Sequence, residues 1–150
     1  MYYKLSQYFS EVKDLSVAEV GKKIGGKVGL NIKNGTFQNA CAIRMSYAFN
    51  KSGKLISKND GAVSSGEDKK WYLYRVKDFI NFLKANYTDS EKVTDISKLQ
   101  GKKGVIVFED CGWSDATGHV DLYDGNQVEG SDYSDKAKSI TLFKINKIIN

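Results

Sequence analysis

Histidine and cysteine are scarce in this chain of 150 residues, which has one histidine, His119, and two cysteines, Cys41 and Cys111. Two cysteines cannot make a disulfide scaffold, and their spacing matches no zinc pattern of paired cysteines. A single 41–111 bridge or two free thiols are what they leave open. With a lone histidine, a metal site would have to be built largely from carboxylates, so no metal and no other cofactor is expected. Arginine is nearly absent too, since Arg44 and Arg75 stand alone among lysines. Base and phosphate recognition favours the planar guanidinium fork, and no basic run here exceeds two residues. The 23 basic against 18 acidic residues, a net charge of +5, therefore read as a solvated lysine surface rather than a nucleic-acid footprint. A carboxylate-rich polymer would still suit such a surface.

Apolar runs are short. None approaches the ~18–20 residues of a membrane span, and residues 1–14 lack the continuous apolar stretch of a secretory signal. The expectation is a protein made in the cytoplasm without a signal peptide and not inserted in a membrane. Any work outside the cell would need an export route that reads no cleaved leader. What the chain does have is core-forming: 41% of it is hydrophobic, with nine Tyr and seven Phe, which argues against disorder. Its length fits one domain over 1–150.

Ser16-Val17-Ala18-Glu19 is a capping-box pattern and predicts a short helix over about 17–24. Gly25 and Gly26 end it, and the glycine-rich stretch from Gly21 to Gly35 reads as loop, without the Gly-Lys-Ser/Thr of a phosphate loop. Asn39 is an N-cap for the next helix, along which Cys41, Met45, Ala48 and Phe49 recur at helical spacing until Gly53. Cys41 thus falls in the first turn, where free amides and the helix dipole stabilise a thiolate. Read from this helix alone, a small buried hydrophobe is the commoner fate of such a cysteine. Residues 51–70 read as a surface loop that could wall a substrate. Trp71 to Tyr74 opens a further helix with the apolar stripe Val76, Phe79, Ile80 and Leu83. After a polar turn over 84–103, Gly104 to Phe108 is a central strand. From His119 the alternation puts His119, Asp121 and Tyr123 on one strand face, and Val120 and Leu122 on the other. Asp124-Gly125 marks a tight turn into another strand, and Ser139 to Ile145 closes an antiparallel sheet.

A helix-borne cysteine followed by a strand-borne histidine in one small α+β domain is the chain order of papain-like cysteine hydrolases. Asn39-Ala-Cys-Ala-Ile-Arg-Met-Ser-Tyr47 resembles the cysteine motif of the fourth family of type VI secretion amidase effectors, small NlpC-like peptidoglycan hydrolases. Val20-Gly-Lys-Lys-Ile-Gly-Gly26, Tyr72-Leu-Tyr-Arg-Val76, Gly101-Lys-Lys-Gly-Val-Ile-Val107 and Gly118-His-Val-Asp-Leu-Tyr-Asp-Gly125 resemble the same family in the same order. The match spans about residues 16–133. The resemblance implies a papain-like, NlpC-like α+β fold, in which N-terminal helices and a catalytic helix pack on an antiparallel sheet. It implies cleavage of the link between D-glutamate and meso-diaminopimelate in Gram-negative stem peptides. It also implies an antibacterial toxin, injected by a contractile secretion apparatus into a rival's periplasm, with a cognate immunity protein that plugs the cleft.

The chemistry requires a thiolate, a base that keeps it ionised and then protonates the leaving amine, and donors for the oxyanion. Cys41 and His119 take the first two roles. The Cys41 backbone amide takes the third, with Gln38 or Asn39 as a possible partner, although capping is the plainer role for Asn39. For the group that orients the imidazole, the family places an aspartate after the histidine segment, where an ungapped alignment gives Gly130. Asp132 is the first choice and Glu129 the alternative. Asp121 ranks last, because it lies ~6.5–7 Å along the strand from His119. Arg44, three residues after Cys41, pairs with a carboxylate inside the protein or reads one on the substrate. Trp113 stacks on substrate or covers the core, and Cys111 reads as a structural thiol. Two other classes keep the same scaffold: a non-catalytic wall- or partner-binding module, and an acyl or amide transferase.

Overall fold

Two hydrophobic clusters, one on each face of a four-stranded antiparallel sheet, organise the chain. They are seen in a computed structural model that describes residues 1–113 and 118–145. Positions 114–117, inside the segment between Cys111 and His119, lie outside the described residues.

The larger cluster is helical. Helix α1 (Tyr2–Phe9) buries Leu5 and Phe9, and α2 (Val17–Ile24) starts at the expected capping box. There the Glu19 amide donates to Ser16 Oγ at 3.1 Å, and the Ser16 amide donates to Glu19 Oε1 at 2.9 Å. The glycine-rich stretch is not a loop, because its second half folds as α3 (Gly26–Lys33). Gly25, at φ 66°, turns the chain between the two helices in a backbone conformation that an L residue adopts only with strain. Glycine content signalled that break but not the return to helix after it. Helix α4 (Cys41–Lys51) is buried along nearly its whole length, and α5 (Val76–Asn86) buries the expected stripe of Val76, Phe79, Ile80 and Leu83.

The segment expected to open α5 is instead a strand. β1 (Val63–Ser65) and β2 (Trp71–Leu73) form a two-stranded antiparallel ribbon with Ser64 opposite Tyr72. Tyr72 donates to Asp68 at 2.6 Å, which closes the turn between the strands. Trp71 and Tyr72 have the β-preferring side chains that this pairing uses, and helical periodicity begins only at Val76.

In the main sheet the order is β3 (Ser90–Val93), β6 (Ser139–Phe143), β4 (Gly104–Glu109) and β5 (Gly118–Tyr123). β4 is internal, and its residues 104–108 are buried, as its unbroken apolar run predicts. β3 and a 3₁₀ turn (Ile96–Leu99) occupy part of the expected polar turn. β3 is a sheet edge held by main-chain pairing with β6, and its Ser-Glu-Lys-Val sequence gives no apolar alternation to announce it. After Asp124 the expected return strand reduces to one bridge between Tyr123 and Val128. From there the chain turns toward β5, the other edge of the sheet, and this departure shapes the site.

Candidate active site

Cys41 is the first residue of α4, set against edge strand β5. An edge strand has backbone groups on its open side that need partners. On β5 the sulfur supplies one pair: the Val120 amide donates to Cys41 Sγ at 3.1 Å, and Sγ lies 3.2 Å from the Val120 carbonyl oxygen. In the same place His119 Nδ1 is 3.2 Å from Sγ. Both cysteines are free, so the 41–111 bridge is not formed.

The other imidazole nitrogen, Nε2, meets Asp121 Oδ2 at 2.7 Å. The carboxylate beside the ring is therefore Asp121, not Asp132 or Glu129. The expected separation of ~6.5–7 Å along the strand is a backbone spacing, and the ring and the carboxylate close it by leaning toward each other. Asp121 is 1% exposed, and three backbone amides also converge on it. Leu122 and Gly130 donate to Oδ1 at 2.8 and 2.9 Å, and Ser131 donates to Oδ2 at 2.9 Å. The turn after β5 does return to the level of His119, but it brings amides there rather than carboxylates. Gly130 fits because it has no side chain, since a Cβ would stand 2.5 Å from Asp121 Oδ2. Asp132 instead accepts from the Ser134 amide at 2.8 Å in a local turn, and Glu129 reaches away to Tyr2 and Ser6 of α1.

Cys41 and His119 line a cleft of about 370 Å³ with Gln38, Asn39, Arg44 and Trp113, so the other expected site residues gather there. Ser131 and Tyr133 also line it. Tyr133 packs edge-on against His119 at 4.9 Å and against Trp113 at 4.8 Å, forming an aromatic wall. No periodic signal in the sequence marked Tyr133. Asn39 is not the N-cap itself. Ala40 takes that position, and Asn39 Oδ1 accepts from the Cys41 amide at 2.9 Å, one residue further along. The Gln38 carboxamide has only a long contact, 3.5 Å, to the Gly35 carbonyl. Arg44 Nη2 donates to the Leu15 carbonyl at 2.9 Å, and its buried Nε has no partner. Among the described residues no carboxylate forms an ion pair with Arg44. Past Val17 and Gln38 the surface continues into an apolar groove of about 860 Å³, lined in part by Gly21, Gly29, Ile32 and Phe37. Among the described residues no group of three or more His, Cys, Asp or Glu side chains could hold a metal ion. No helix among them is long and apolar enough to cross a membrane.

The model of the type VI secretion system amidase effector protein 4 family, Tae4, matches residues 37–143, most of the chain and every residue of the cleft except Val17. The chain belongs to this family. Solved structures agree with that placement. A Tae4–Tai4 effector–immunity complex from Salmonella Typhimurium contains a chain 39% identical, with a TM-score of 0.87, over 95% of this chain and 96% of that one. The corresponding complex from Enterobacter cloacae gives 37% identity and a TM-score of 0.86, over 97% and 98%. Tae4 of Enterobacter cloacae gives 37% identity and a TM-score of 0.85, over 97% and 96%. No curated protein sequence matches the chain. This Tae4-family chain is an amidase effector of type VI secretion with the papain-like α+β fold.

The site of this amidase favours a charged imidazole. Burial disfavours the charge on His119, but its interactions with the Cys41 sulfur and the Asp121 carboxylate outweigh it and push its pKa up to about 10. His119 is the only histidine, so its ring resonances can be followed by NMR without ambiguity. The ring is expected to stay protonated through neutral pH and to lose its proton only as pH rises toward about 10. A midpoint near the ordinary 6.5 would show that neither neighbour acts on it.

Proposed function

We propose that this effector hydrolyses the amide between D-glutamate and meso-diaminopimelate in stem peptides of Gram-negative peptidoglycan. It would act in the periplasm of the cell into which the secretion apparatus delivers it. The observation that supports this reading most is the line Cys41 Sγ–His119 Nδ1–His119 Nε2–Asp121 Oδ2, with steps of 3.2 and 2.7 Å on the wall of a cleft.

The Cys41 thiolate attacks the glutamyl carbonyl carbon, and the carbonyl pair moves onto oxygen. The Gln38 carboxamide and the Cys41 amide are donors for that oxygen, the latter by exchanging its bond to Asn39. Collapse of the adduct breaks the C–N bond as His119 gives its proton to the leaving diaminopimelate amine, leaving a thioester. Water, deprotonated by His119, then releases the glutamate carboxylate and restores the thiolate–imidazolium pair. Asp121 keeps the ring in the orientation that presents Nδ1 to sulfur throughout. The cognate immunity protein is the expected protein partner, as relatives are seen in effector–immunity complexes.

The test is product analysis after digestion of purified Gram-negative sacculi. New glutamate carboxyl termini and free diaminopimelate amines, each cut adding one water, are expected. Intact stem peptides would sink the reading in favour of a wall-binding module, and amine-capped glutamate would convert it to a transferase.

Arg44, with no internal carboxylate among the described residues, is the group in the cleft suited to the free α-carboxylate of D-glutamate. Charged hydrogen bonds contribute about 1.5–3 kcal/mol, so Arg44→Met is expected to raise KM by about tenfold or more with kcat nearly unchanged. A substrate amidated at that carboxyl should impose the same penalty on the wild type and none on the variant. Additive penalties would assign the carboxylate to another residue.

A further inference from the structure

Glu129 does not line the cleft, yet it joins the loop after β5 to the first helix. Its side chain accepts from Tyr2 Oη and from Ser6 Oγ, the latter at 2.8 Å, across 127 and 123 residues of sequence. Tyr2 and Ser6 are four apart on α1 and so share one face, while Leu5 and Phe9 anchor the helix in the core. The Glu129 backbone is fixed as well. Its amide donates to the Leu122 carbonyl at 2.8 Å, and its carbonyl accepts from Lys13 Nζ at 3.3 Å. The next two residues of the chain, Gly130 and Ser131, are the ones whose amides hold the two oxygens of Asp121.

We propose that Glu129 is a positioning residue: clamped by Tyr2 and Ser6 of the first helix, it aims the Gly130 and Ser131 amides at Asp121 and thereby fixes the His119 ring. The inference rests on the hydrolase reading above. Placement of this kind has a large effect on rate, because a ring that is misaimed by a fraction of an ångström loses its productive contact with sulfur. The groups facing Glu129 are Tyr2, Ser6 and Lys13, with Asp121 behind its own loop. Burial and the bond to Glu129 raise the Tyr2 pKa strongly, so its hydroxyl remains a donor at every pH at which the enzyme would work.

Glu129→Leu is expected to lower kcat by about tenfold with KM unchanged. It should also shift the NMR titration midpoint of His119 downward, toward its ordinary value, because Asp121 no longer rests squarely on Nε2. Glu129→Gln keeps an acceptor for one hydroxyl and is expected to recover most of both readouts. Tyr2→Phe combined with Ser6→Ala removes the donors while leaving residue 129 intact, and should reproduce the Leu variant. That pair of substitutions decides the matter if Glu129→Leu does not fold. Unchanged kcat and an unchanged His119 titration in the donor-less variant would overturn the proposal and reduce the contact to a fold anchor. Failure of the hydrolase reading would look different, since the wild type would then leave stem peptides intact while the His119 titration still reported on the clamp.

Discussion

Cys41→Ala is expected to abolish hydrolysis of purified peptidoglycan while leaving a cooperative thermal transition close to that of the wild type. The loss is expected to be complete because, among the described residues, Cys41 is the one thiol that lines the cleft, and its sulfur is the atom His119 Nδ1 faces at 3.2 Å. Cys111, the other thiol, is not among the cleft residues. Structurally the change is mild. Cys41 is 5% exposed at a helix start, and Ala removes one atom whose partners are His119 and the Val120 backbone. The Val120 amide then lacks a partner, a cost of about 1–3 kcal/mol if water does not reach it. Alkylation gives an independent check. Burial and the adjacent Asp110 push the Cys111 thiol up, away from the reactive form, whereas the Cys41 sulfur faces a charged imidazole. Inactivation by iodoacetamide without prior reduction should therefore track modification of Cys41, as read by peptide mass. Activity that survives full alkylation of Cys41, or that persists in Cys41→Ala, would remove it as nucleophile.

Where a residue's role is local, the sequence was legible. The capping box at Ser16 and Glu19, the apolar stripe of α5 and the buried run of β4 are each set by neighbours within a turn or a strand. Cys41 and His119 are singled out by a helix start and an alternating strand, together with five ordered motifs, and their side chains meet at 3.2 Å. Less visible were features whose cause lies elsewhere in the chain. β3 exists only because β6 pairs with it, and α3 follows a glycine that looked like an end. That the carboxylate beside the His119 ring is Asp121 rather than the expected Asp132 has the same kind of cause. Counting along the hairpin leads to residues 129–132, and from that stretch the Gly130 and Ser131 amides face Asp121 while the Glu129 side chain bonds to α1. A contact across 123 residues leaves no trace in local spacing.

Asp121→Asn is expected to cut kcat by at least about 10²-fold, while Asp132→Asn stays within about threefold of the wild type. Asparagine keeps the shape of Asp121 but replaces one acceptor oxygen by a donor. Four donors converge on the native carboxylate: the amides of Leu122, Gly130 and Ser131, and His119 Nε2. Two of them face each oxygen, so either rotamer of the amide leaves two N–H groups confronting an N–H. If the NH₂ faces the ring, His119 must offer Nε2 as acceptor and carry its proton on Nδ1, which can no longer take one from the thiol. If it faces Leu122 and Gly130, two buried backbone donors go unpaired. Each such donor costs about 1–3 kcal/mol, so the variant should also unfold at distinctly lower denaturant concentration. With the negative charge gone, the His119 titration should move down as well, since that charge is one of the causes that hold it up. Asp132, by contrast, accepts a single amide bond from Ser134 on the surface, which an asparagine oxygen accepts equally well. A damaging Asp132→Asn beside a silent Asp121→Asn would mean that the loop after β5 rearranges when substrate binds, and that the carboxylate supporting His119 during turnover comes from the loop rather than from the strand.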